Sequence, residues 1–85
     1  MRALIVDDEP LARARLAALL GDCDGVEIVG SVADGEAALG ALRELQPDVL
    51  LLDINMPGLS GTAVAQRLAG RTRPQVIFCT AYEAH

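Results

Sequence analysis

Apolar runs that stop abruptly in carboxylates set the pattern of this chain. Ala3-Leu4-Ile5-Val6 leads straight into Asp7-Asp8-Glu9-Pro10, and Val49-Leu50-Leu51-Leu52 leads into Asp53-Ile54-Asn55-Met56-Pro57-Gly58. Unbroken branched aliphatics, rather than alternating ones, mark strands buried on both faces, which is the habit of parallel sheets. Two more runs complete the set. Residues 26–29 (Val-Glu-Ile-Val) alternate partly, as a strand near a sheet edge does, and residues 76–79 (Val-Ile-Phe-Cys) predict a fourth buried strand.

Helical spacing fills the gaps between these strands. After the first, Pro10 suits an opening helical position, Asp8 or Glu9 serves the positive helix end, and Ala12, Leu16, Leu19 and Leu20 form an inward stripe, with Arg13 and Arg15 mostly outward. The Asp- and Gly-rich stretch from Gly21 to Gly25 ends that helix. Asp34 is a good N-cap for a second helix, with Glu36 in its first turn, Ala38, Leu42 and Leu45 buried, and Pro47 as the stop. Ser60-Gly61 starts a third, carrying Val64, Ala65 and Leu68 and ended by Gly70. The resulting order is β-α-β-α-β-α-β. Right-handed crossovers with short loops make this an α/β doubly wound parallel sheet, strand order 2-1-3-4, with the first and third strand ends adjacent at the switch point.

Composition fits that class. Eighty-five residues make one small domain. Apolar residues reach 52% while aromatics are only 2%, so the core must be aliphatic. A net charge of −5 disfavours direct binding of nucleic acid or of an anionic membrane by this segment. All the positive residues are arginine. Arg71 and Arg73 flank a loop, where solvation is the ordinary outcome and an acidic partner the alternative. Cys23 and Cys79 have no metal or redox spacing and read as reduced thiols. Without a signal-peptide pattern or an apolar segment of membrane-spanning length, the chain is expected to be cytoplasmic.

Parallel sheets put their chemistry at the carboxyl ends of strands, so Asp7, Asp8 and Asp53 are expected at one mouth. Like charges packed together raise one another's pKa or require a cation. Magnesium, a hard ion that takes oxygen ligands and often sits beside phosphate, suits such a cluster better than zinc or copper does. Taken singly, Asp7-Asp8 is an ordinary capping pair, Asp53 and Asn55 are ordinary turn residues, and Thr80 is an ordinary loop hydroxyl. Only their joint placement points to a site.

With Asp7-Asp8 after the first strand, Asp53 after the third, Met56-Pro57-Gly58 in the turn and Thr80-Ala81 after the fourth, the chain resembles the receiver domain of two-component response regulators. The resemblance runs from Arg2 to His85, and the run from Val76 to Tyr82 further resembles the LytTR class. It implies a flavodoxin-like sheet and a non-enzymatic phosphoacceptor. Asp53 would take a phosphoryl group from a sensor histidine kinase or a small phosphodonor. Asp7, Asp8, Asp53 and Asn55 would form the Mg2+ site, with Asp7 acting through water and Asn55 through its backbone carbonyl. Thr80 would be the switch hydroxyl, and the output would be transcription regulation through a domain absent here.

The resemblance also implies a lysine and a switch aromatic on a fifth strand, and neither has a counterpart: the chain contains no lysine. Residues 1–85 are accordingly expected to be an incomplete receiver domain lacking the fifth strand and last helices, with an apolar fourth-strand edge that favours homo-oligomers by strand addition or element exchange. Tyr82 reads as a surface aromatic and His85 as a terminus without a ligand role. The competing function is a switch-deficient fragment serving only as an oligomerisation or protein-interaction module. A magnesium phosphatase would want an Asp where Asn55 stands, and a dinucleotide site would want a glycine-rich loop after the first strand.

Overall fold

The computed structural model describes residues 1–54, 56 and 58–79. Its elements follow the expected order: β1 Arg2–Val6, α1 Pro10–Gly21, β2 Glu27–Val32, α2 Gly35–Leu45, β3 Val49–Leu52, α3 Gly61–Arg67 and β4 Gln75–Phe78. All three strand pairings are parallel and the sheet order is β2-β1-β3-β4. The two uninterrupted aliphatic strands, β1 and β3, are therefore the central ones, which is why neither shows polar alternation.

Side chains of β1 and β3 alternate between the two faces. Leu4, Val6, Leu50 and Leu52 point into a core completed by Ala38 of α2, Val64 of α3, Met56 and Leu68. Ala3, Ile5, Val49 and Leu51 form the opposite cluster, against which Leu16, Ala17 and Leu20 of α1 pack half-buried.

The helix ends bear out part of the capping pattern. Asp34 accepts a hydrogen bond from the Ala37 N–H at 2.7 Å and Ser60 accepts one from the Ala63 N–H at 3.2 Å. Gln46 ends α2 in the left-handed region at φ 47°. At α1, however, Pro10 opens the helix after Glu9, and neither Asp8 nor Glu9 caps it with a side-chain hydrogen bond. The carboxylate of Asp7 takes the Glu9 N–H instead, at 2.9 Å.

Three burial expectations need correcting. Leu19 is 66% exposed and no residue of α1 is buried, because apolar residues are spread almost evenly around this helix and only one side of it meets the sheet. Arg13 does not simply face water, since its guanidinium donates to the Asp7 carbonyl at 2.8 Å. The fourth strand is not buried: Ile77 is 50% and Phe78 44% exposed, as befits a strand paired only with β3 among the described residues.

Candidate functional site: a carboxylate cluster at the switch point

Backbone ladders carry the two central strands directly into the site. The Asp7 N–H donates to the Val32 carbonyl at 3.1 Å, and the Asp53 N–H donates to the Val6 carbonyl at 2.9 Å. Each aspartate is thus held by the last rung of a sheet whose interior is aliphatic. Asp7 and Asp53 are buried, at 3% and 5% exposure, while Asp8 is exposed. Carboxylate oxygens of all three lie within 4.8 Å of one another. This is the convergence expected from the two strand ends.

The surroundings restrict what the cluster can do. Around an octahedral Mg2+ with bonds of about 2.1 Å, ligand oxygens stand about 3 to 4.2 Å apart, so three carboxylates already this close need only a small adjustment or an intervening water. The donor set is all oxygen, which fits magnesium and not zinc or copper. The residues present therefore fit the metal that the acidic cluster implies. When bound, such an ion supplies positive charge that offsets carboxylate and phosphoryl oxygens together.

Two neighbours were not singled out from sequence as parts of this site. Gly61, at the start of α3, lies against the Asp53 backbone so closely that a Cβ there would overlap the Asp53 carbonyl. Its N–H donates to the Ile54 carbonyl at 3.2 Å. The sequence signal was present, a glycine directly after the capping Ser60, but it reads equally well as a plain helix start. Cys79 continues β4, its N–H donating to the Leu52 carbonyl at 2.8 Å. Burial pushes the Cys79 thiol pKa up, and the negative charges of Asp7 and Asp53 push it further. The thiol thereby feels both carboxylates from the end of β4. Asn55, Thr80, Tyr82 and His85 lie outside the described residues.

A parallel sheet that reverses its strand order at β1 and β3, with carboxylates gathered at that reversal, has its candidate site where α/β proteins of the doubly wound class place their ligands. The comparisons make this specific. The family model for the response regulator receiver domain matches residues 3–85, and the chain belongs to that family. It is 55% identical over 85 residues to the positive alginate biosynthesis regulatory protein of Pseudomonas aeruginosa, covering 98% of this chain and 34% of that protein. It is 47% identical to the transcriptional regulatory protein BtsR of Salmonella typhi, covering all of this chain and 36% of that one. The chain thus spans about a third of the length of these curated relatives. Among solved structures, the response regulatory domain of protein mrkE from Klebsiella pneumoniae superposes with a TM-score of 0.87 at 38% identity, over 100% of this chain and 70% of that one.

Proposed function

We propose that this receiver domain accepts a phosphoryl group on Asp53 from the phosphohistidine of a sensor histidine kinase, in a magnesium-dependent reaction in the cytoplasm, and so regulates transcription through an output domain. The observation that carries this reading is the meeting of Asp7, Asp8 and Asp53 at the ends of the two central strands. An Asp53 carboxylate oxygen attacks phosphorus in line as the P–N bond breaks, and the imidazole leaves, taking up a proton. Asp7, Asp8 and Asp53, with the Asn55 carbonyl, would hold the ion, Asp7 through water. The Thr80 hydroxyl would then donate to a phosphoryl oxygen and draw its loop inward, biasing a two-state surface. Membership of the family and the transcriptional regulators among the relatives support the output. No described helix is long and apolar enough to cross a membrane.

The test is direct. Acetyl phosphate with magnesium should add one phosphoryl group, mapped to Asp53 by mass spectrometry, and either chelation of magnesium or Asp53→Asn should abolish it. A folded chain that stays unmodified, or is modified equally in the Asp53→Asn variant, overturns the reading. A second element concerns assembly: the half-exposed Ile77 and Phe78 on β4 support association of two copies at that edge. A purely monomeric, cooperatively folded species in sedimentation at micromolar concentration would remove it.

A further inference from the structure

At the opposite end of the sheet from the carboxylates lies a cavity of about 510 Å³ between the C-terminal ends of α2 and α3 and the loop leading to β4. Four of the chain's seven arginines line it, Arg43, Arg67, Arg71 and Arg73, and no carboxylate does. The apolar part of its lining comes from Leu39, Leu42 and Leu68 together with Pro47 and Pro74. We propose that this cavity is a binding site for an organic oligophosphate, its phosphates held by the guanidiniums and its organic body seated on the leucines.

The charge balance supports an anionic occupant. Arg73 is committed to Asp48 by an ion pair at 2.7 Å, so one of the four positive charges is already answered. Arg43, Arg67 and Arg71 have no ion pair among the described residues. Their ordinary structural role is limited: Arg43 and Arg67 stand in the last turns of α2 and α3, where a cation suits the helix dipole. Two helix C-termini together present only about one negative charge. Three unanswered guanidiniums outweigh that, and Arg71 belongs to neither helix. Helix capping therefore leaves unexplained both the surplus charge and the concave apolar surface beneath it.

The chemistry selects phosphate esters of some size. Guanidinium forks match phosphate oxygens two at a time, and three forks around one cavity need a ligand with several anionic groups close together. The volume falls within the range that holds a small organic ligand, of about 300–1,000 Å³. A free inorganic anion would fill the cationic rim and leave the leucines wet. This site is separate from the carboxylate cluster, and the proposal stands or falls independently of phosphorylation at Asp53.

The experiment follows the arginine Nε–Hε resonances of the chain by NMR during titration, in metal-free buffer at physiological ionic strength, with ATP as the organic probe and inorganic tripolyphosphate and citrate beside it. Saturable shifts confined to Arg43, Arg67, Arg71 and Arg73, with ATP binding several-fold tighter than either comparator, are expected. The double variant Arg67→Gln/Arg71→Gln should weaken ATP at least tenfold, while Arg15→Gln on α1 and Asp53→Asn should leave it unchanged. Shifts spread equally over Arg2, Arg13 and Arg15, or an undiminished affinity in the folded double variant, would overturn the site. Equal or tighter binding of tripolyphosphate or citrate would overturn the ligand class.

Discussion

The two faces of the sheet are built to different standards. On the α2/α3 face, eight buried residues interlock. On the α1 face there are four, all from the strands, and the helix contributes only half-buried side chains. The sequences of the helices foretell this. In α2 the apolar residues keep to one side, whereas in α1 they surround the axis and leave Leu11 and Leu19 outward at 68% and 66% exposure. A helix that is apolar all round is one whose second side has use for a partner. The same strands thus carry one finished core and one thin one, and the carboxylate site hangs on both.

Substitutions that sort by face give the largest expected effect. Leu50→Ala, on the α2/α3 face, should cost about 4 kcal/mol in urea unfolding, because the cavity it leaves is walled on all sides. Leu51→Ala, its neighbour on the other face, should cost about 2 kcal/mol, since α1 can settle into the gap. Equal losses would end the distinction. The helix starts sharpen it further: Asp34→Ala should cost about 1 kcal/mol by removing the cap of α2, whereas Glu9→Ala, which caps nothing, should change stability by less than about 0.5 kcal/mol.

Smaller effects probe the outer side of α1 and the lower rim of the sheet. Leu11→Gln with Leu19→Gln should shift stability by no more than about 0.5 kcal/mol; a larger, concentration-dependent loss would mean that this side is covered in solution. Asp48 belongs to neither face. It accepts from the Arg2 N–H at 2.8 Å and from the Arg73 guanidinium at 2.7 Å, tying β1 to the loop before β4. The Arg2 N–H first, and Arg73 after it, hold its carboxyl pKa below the ordinary value. Its contribution is therefore complete above the unfolded carboxyl value and disappears as pH falls through the lower folded one, in the region below about pH 4. Asp48→Asn should flatten that part of the stability profile and leave the rest alone, and added salt should shrink the difference because the pair is exposed.

Strand positions and topology were legible because burial on both faces writes itself as unbroken aliphatics: residues 49–52 in the sequence are β3 as observed. Caps with a short polar side chain were legible too, at Asp34 and Ser60, since the preference is local. What escaped were facts set by neighbours distant in sequence. Leu19 has correct helical spacing, yet its exposure depends on what stands beside α1. Gly61 looks like any helix-opening glycine until the Asp53 backbone is brought against it. The carboxylate cluster was readable as a convergence of Asp7, Asp8 and Asp53, because a parallel sheet fixes which ends meet. Arg13 was misjudged for the converse reason: spacing reports which way a side chain starts out, not which carbonyl its far end reaches.

The central place of β1 also governs how the chain must assemble during synthesis. Strand β1 pairs with β3, Ala3 opposite Val49, so one side of it waits until α1, β2, α2 and β3 itself have been made. Such non-local closure slows folding. A nascent chain therefore leaves one side of an aliphatic strand unpaired over that interval, which is where chaperones would have most to protect.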